Sequence, residues 1–206
     1  MIKNLLFDLG GVIMDIRKDD CVAAFAALGM RGPERFFGDF SQQGPFMQLE
    51  EGAIGVDDFH AAMRPYLPDG VTDAQIDEAF CRFLTGIPAR RLGALEQLRR
   101  RFKVYLLSNT NRVMWDSRIA DEFRKCGRER EDYFDGIVTS FEARSLKPSP
   151  EIFRYAERKL GIDPEETLFI DDSRANLDAA ARLGYNTALA TPGSEFADII
   201  AAYPLQ

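Results

Sequence analysis

A chain of 206 residues, 46% hydrophobic and 29% charged, has the length of one core domain with a smaller appendage. Its formal net charge of -7 and pI near 4.9 exclude a nucleic-acid backbone as partner, because neutralising phosphates needs a basic face. The arginine-rich stretches at 99–101 and 124–130 are interleaved with acids or fall on predicted helices, as a solvated face does.

The three cysteines, Cys21, Cys81 and Cys126, are an odd number without metal-ligand spacing, and they fit reduced thiols better than a disulfide framework. The chain enters its first apolar run without a charged leader, and no later run is long enough to span a bilayer. The expectation is a soluble, cytoplasmic protein with neither a membrane nor a nucleic acid as partner.

The first apolar run, 2–7, ends at Asp8 and leads into Leu9-Gly10-Gly11-Val12. A carboxylate at the tip of a buried strand, followed by two glycines, lets a phosphate approach both an acid and bare backbone amides. The next stretch, 17–87, carries amphipathic helical spacing at 19–28, 56–66 and 72–84, with turn signals at 29–33, 44–45 and 68–70 and no convincing strand. His60 lies in this stretch with no second histidine and reads as structural.

From residue 88 onward, short apolar runs at 104–107, 136–138, 167–170 and 187–190 alternate with helical spacing at 88–101, 113–125, 150–160 and 175–183. Runs buried on both faces and separated by helices predict an α/β fold, a parallel sheet with helices on each side. Gly161 and Gly184 stand where helix C-terminal glycines belong. Three polar clusters close these runs in turn: Ser108-Asn109-Thr110-Asn111, then Lys147-Pro148, then Asp171-Asp172. Taken singly, the first is a helix N-cap signal, the lysine a surface residue and the acids another N-cap. Taken in order with Asp8, they supply a nucleophile, phosphate donors, a cation and metal ligands.

With these four motifs the chain, from residue 2 to about 189, resembles the haloacid dehalogenase superfamily, whose phosphatases place four such loops on one parallel sheet. The form Phe7-Asp8-Leu9-Gly10-Gly11-Val12-Ile13-Met14-Asp15 is similar to the subgroup that includes sugar-phosphate phosphatases such as α-D-glucose-1-phosphate phosphatase. The resemblance implies a Rossmann-like three-layer core, 1–16 and 88–206, with an inserted α-helical cap, 17–87, that covers the site and chooses the substrate.

It implies Asp8 as nucleophile and Lys147 as the balancing cation, both catalytic. Leu9, Gly10, Ser108, Asn109 and Lys147 would hold the phosphate, and Asp8, the Gly10 carbonyl, Asp172 and Asp171 the metal, Asp171 through water or a hydrogen bond. Asn176 would support the last loop. An oxygen-only ligand set suits Mg²⁺. The partner implied is a small phosphorylated metabolite.

The usual first motif of these phosphatases is Asp-x-Asp, and Gly10 replaces its second acid. A glycine keeps the backbone carbonyl for the metal and removes the general acid, a contribution of about 10²–10⁴-fold. Asp15 is a conceivable substitute, although near a cap hinge such an acid is more often structural. Three readings remain open: a phosphatase of small phosphometabolites such as sugar phosphates, a catalytically weak binding protein on the same scaffold, and a 2-haloacid dehalogenase. The retained Asp171-Asp172 pair counts against the last. In the cap, the segment 44–50 is expected to face the site, with Phe46 and Met47 alternatively in the cap core.

Overall fold

The computed structural model describes residues 1–38 and 42–204. β1 (Asn4–Phe7) is buried along its whole length. β2 (Asp15–Ile16) follows, and the chain then runs through α1 (Lys18–Ala27), α2 (Pro45–Glu50), α3 (Val56–Met63) and α4 (Asp73–Cys81) before returning on β3 (Leu84–Gly86). Strands and helices alternate from there: α5 (Ala89–Leu98), β4 (Lys103–Ser108), then a helix made of α6 (Arg112–Met114), a π turn at Trp115–Ile119 and α7 (Ala120–Arg124). β5 (Gly136–Thr139), α8 (Ser140–Ala143), α9 (Pro150–Leu160), β6 (Thr167–Asp171), α10 (Arg174–Arg182), β7 (Asn186–Leu189) and α11 (Phe196–Ala202) complete the described chain.

Five of the strands form one parallel sheet in the order β5-β4-β1-β6-β7. The chain leaves β1 toward β4 and β5 and then crosses to β6 and β7, so the strand order reverses beside β1, where ligands of open α/β sheets bind. Alternate residues of each strand face opposite layers. Leu5, Phe7, Leu106 and Ile170 pack with Leu92, Leu95 and Phe196 on one face, while Leu6, Leu107 and Phe169 pack with Phe153 and Ala180 on the other. This is the expected three-layer α/β fold. Gly161 ends α9 at φ 66°, a left-handed turn that glycine enters without a Cβ clash.

The helices between β2 and β3 pack around a cluster of phenylalanines. Phe46 is central, with ring centroids 4.7 Å from Phe37, 4.8 Å from Phe80 and 5.3 Å from both Phe25 and Phe59. The same apolar cluster continues into the sheet face that carries Leu5 and Phe7. Thr72 starts α4 with a capping box closed by Gln75. His60 is buried on α3 and hydrogen-bonded to Asp77 at 2.7 Å, the structural place expected for it.

One expectation fails here. The stretch 17–87 does contain a strand, β3, which pairs antiparallel with β2 where the chain leaves and re-enters the parallel sheet domain. Arg17 N–H donates to the Phe83 carbonyl beside this pair. A three-residue strand is too short to show period-2 alternation, so its sequence carries no signal. Both crossings are pinned from the sheet side: Arg91 of α5 donates to Asp15 Oδ1 (2.7 Å) and to the Ile13 carbonyl (3.2 Å), and Glu122 of α7 accepts the Ile87 N–H (2.9 Å).

Candidate active site

Asp8 is the first residue past β1, and its N–H donates to the Ile170 carbonyl at 2.9 Å, which seats it beside the end of β6. The following turn is tight: the Leu9 carbonyl takes the Ile13 and Met14 N–H groups, and Gly11 N–H reaches the Met14 carbonyl. Gly11 has φ +75°, and a Cβ there would lie 2.2 Å from Asp172 Oδ2, so only glycine lets the two loops meet. Gly10 differs. Its φ is not positive, and a Cβ would make ordinary contact with Ile16 Cγ2 at 3.4 Å.

Lys147 is buried, and its Nζ stands 2.7 Å from Asp8 Oδ1 and 2.7 Å from Asp171 Oδ2. Asn109 holds the lysine's backbone: its amide Nδ2 donates to the Lys147 carbonyl (3.0 Å) and its Oδ1 accepts the Lys147 N–H (2.9 Å). The peptide between Lys147 and Pro148 is cis. Asp171 has donors on both oxygens, from Lys147, from the Ser173 N–H (2.8 Å) and from Asn176 Nδ2 (3.0 and 3.1 Å). It therefore serves as an anchor for Lys147, with Asn176 supporting it.

The charges in this cluster do not balance. Burial raises the pKa of Asp8; Lys147 pulls it down, and Asp171 and Asp172 push it up again. Asp172 is lifted to about 6, first by burial and then by Asp171. Burial opposes the charge on Lys147, but Asp171 and Asp8 together hold its pKa above the usual lysine value. Asp8, Asp171 and Asp172 each offer a carboxylate oxygen, all within 4.8 Å of one another. One lysine against three acids leaves room for two more positive charges, and an oxygen-only set suits a hard dication. The residues present fit Mg²⁺.

A cavity of about 110 Å³ opens at these strand ends, lined there by Asp8, Gly10, Asn109, Lys147, Asp172 and Asn176. The rest of its lining includes Ile16 and, from the helical segment, Phe37, Gln42, Glu50 and Phe83. Leu9 and Ser108, expected to hold phosphate, are buried and do not line it; the Ser108 hydroxyl is 3.4 Å from the Asn109 carbonyl. Asp15 does not line this cavity; it pairs with Arg91 and lines a neighbouring one with Gly11 and Asp172. Of the segment 44–50, only Glu50 reaches the cavity, while Phe46 is core and Met47 is exposed.

Glu50 lies in the segment expected to face the site, while Gln42 is a polar lining residue that sequence reasoning missed. A signal existed for Glu50: it falls on the face of α2 that buries Phe46 and Leu49, and an acid on an apolar helical face is a buried acid. Gln42 had no comparable signal. Ser140 Oγ, which accepts the Thr110 N–H (3.0 Å), lies 2.6 Å from the Glu50 carbonyl and ties α2 to the ends of β4 and β5.

Residues 2–184 match the profile of the haloacid dehalogenase-like hydrolase family. The chain belongs to this family. It is 35% identical over 187 residues to the D-ribitol-5-phosphate phosphatase of Bacteroides thetaiotaomicron, an alignment covering 91% of each protein. Among solved structures, it matches a haloacid dehalogenase-family enzyme of the same organism, an aspartate-to-alanine mutant in complex with magnesium and inorganic phosphate. That match has a TM-score of 0.93 and 38% identity over 97% of this chain and 99% of the other. A haloacid dehalogenase-like hydrolase from Porphyromonas gingivalis matches with a TM-score of 0.90 and 32% identity, covering 98% and 97%. The chain is a hydrolase of the family's phosphatase branch.

Proposed function

We propose that the protein is a Mg²⁺-dependent phosphatase of small sugar or sugar-alcohol phosphates, acting through an aspartyl-phosphate on Asp8. The observation that carries this is the single buried lysine holding Asp8 and Asp171 at 2.7 Å each, with Asp172 in the same cluster. Asp8, Asp172 and the Gly10 carbonyl would hold the metal, which when bound supplies positive charge for the transferring phosphoryl group. Lys147 aims the Asp8 carboxylate and offsets charge on phosphate and nucleophile together. The Asp8 oxygen attacks phosphorus as the ester oxygen leaves, and water then hydrolyses the acyl phosphate, two easier steps in place of one.

The substrate class rests on the D-ribitol-5-phosphate phosphatase likeness and on the small volume of the cavity. The segment 17–87 would be the substrate-covering cap. Among the described residues no helix is long and apolar enough to cross a membrane, and the free Cys21, Cys81 and Cys126 suit a cytoplasmic enzyme. Gly10 favours the second reading, a weak binding protein, because it offers no side-chain acid beside the leaving oxygen and Asp15 is held by Arg91.

Phosphate release from a panel of sugar and sugar-alcohol phosphates, measured with Mg²⁺ and with EDTA, separates these readings. The expected outcome is Mg²⁺-dependent release that Asp172→Ala abolishes together with Mg²⁺ affinity. Mg²⁺ and phosphate binding without turnover would establish the binding protein. Halide release from 2-haloacids without metal would overturn both.

A further inference from the structure

The helical wall of the cavity carries polar chemistry that the phosphate reaction does not use. Glu50, at the end of α2, is more than nine-tenths buried yet lines the cavity that also contains Asp8 and Lys147. Its Oε1 accepts a 2.7 Å hydrogen bond from Gln42 Nε2. Gln42, which also lines the cavity, is itself more than nine-tenths buried, and its Oε1, closed off from solvent, has no partner among the described residues. A buried carbonyl without a donor costs roughly 1–3 kcal/mol, so on a residue that borders a ligand cavity a small turn of the side chain toward a donor in the cavity would be favourable.

The surroundings limit what that donor is. Ile16, Phe37 and Phe83 make the rest of this wall apolar, and among the residues lining it Glu50 has no cation beside it. Burial raises the Glu50 carboxyl to about 8, against a smaller lowering effect of the nearby Asn111 amide, so at neutral pH it is largely a neutral acid. A neutral carboxyl offers one O–H donor and an acceptor, and the free Gln42 oxygen adds a second acceptor. Alternating donors and acceptors without net charge complement alcohol groups; an ammonium or a second phosphate would find no counter-charge.

We propose that Gln42 and Glu50 form a hydroxyl-binding subsite, which receives the hydroxyl groups of a sugar or sugar-alcohol phosphate whose phosphate lies at Asp8 and Lys147. This rests on the phosphatase reading and adds the residues that choose the substrate. It also bears on Gly10. Binding energy from a non-reacting part of the substrate can be used at the reacting centre. A substrate whose hydroxyls are gripped on the helical wall would be turned over where a plain alkyl phosphate, with no general acid to help it, is not.

The test compares kcat/KM for D-ribitol 5-phosphate and n-pentyl phosphate, which share a primary alkyl leaving group and differ in hydroxyls, using the Mg²⁺-loaded protein. The parent should prefer the polyol, and Glu50→Leu should cut that preference about 10-fold or more, as expected for a lost buried hydrogen bond. Glu50→Gln, which keeps a donor and an acceptor in the same place, should retain most of it. Gln42→Ala repeats the test away from the helix, so it still decides if Glu50→Leu fails to fold. An equal loss for both substrates in the variants would overturn the subsite, as would a parent that hydrolyses both without preference; the phosphatase reading would survive either result. A parent that releases phosphate from neither compound nor from p-nitrophenyl phosphate would overturn the phosphatase reading and the subsite with it.

Discussion

At the strand ends, Asp171 has a donor on each oxygen and Lys147 is shared at 2.7 Å between two carboxylates. Elsewhere in the lining, Gln42 and Glu50 share one hydrogen bond, and Gln42 Oε1 has none among the described residues. The first wall is charged and internally paired; the second is largely uncharged and incompletely paired. The difference follows from what each wall faces. Groups that handle a phosphoryl charge act best when preorganised by fixed partners, since nothing then has to reorganise during reaction. Groups that recognise a neutral chain keep their pairing for the ligand.

The largest effect that this contrast requires is on the charged wall. Asp8→Asn should lower phosphate release by about 10⁴-fold or more, the scale seen when a nucleophile is removed, while circular dichroism and thermal unfolding show an intact fold. Glu50→Gln, on the helical wall, should lower it by no more than about 10-fold. Equal losses in the two variants would erase the distinction between the walls.

A gain of intermediate size is expected at the boundary between them. Because a Cβ at Gly10 meets only Ile16 at 3.4 Å and the backbone φ is not positive, Gly10→Asp is sterically compatible, whereas any side chain at Gly11 would strike Asp172. The variant should speed hydrolysis of n-pentyl phosphate by up to about 10²–10⁴-fold, and that of p-nitrophenyl phosphate by less, since a better leaving group needs less protonation. A gain that is equal for both, in a variant that still binds Mg²⁺, would show that proton donation does not limit the rate.

The smallest effect concerns stability. The Glu50 carboxyl has a folded pKa of about 8 against an ordinary value of 4.5, so between these pH values the folded chain keeps a proton that the unfolded chain has lost. Its contribution is full below about pH 4.5 and is lost as pH rises through 8, with a slope of at most about 1.4 kcal/mol per pH unit. Urea unfolding of the parent and of Glu50→Gln between pH 5 and 9 in EDTA should show the parent losing more stability with pH. Parallel curves would mean that the helical wall carries an ionised acid, and the contrast between the walls would narrow.

Asp8, Lys147, Asp171 and Asp172 were legible in the sequence because each ends or follows an apolar run of a parallel sheet, and such a sheet gathers its strand ends along one edge. Local order along the chain is enough to group them. The same logic located Asn109, whose side chain clamps Lys147, while Leu9 and Ser108 are buried and do not line the cavity, since a strand-end sequence does not say which of two adjacent residues borders the opening.

Which residues of the helical segment border the cavity was decided by tertiary structure. Phe46 and Glu50 are four residues apart on one short helix, yet one is the centre of an aromatic cluster and the other borders the cavity. Which of them meets the site depends on how α2 is set against the sheet, through Ser140 Oγ near the Glu50 carbonyl and through the β2–β3 pair at the crossings. These are contacts between residues up to 90 positions apart. Helical periodicity specifies that a face is buried, and only the packing of distant elements specifies what it is buried against.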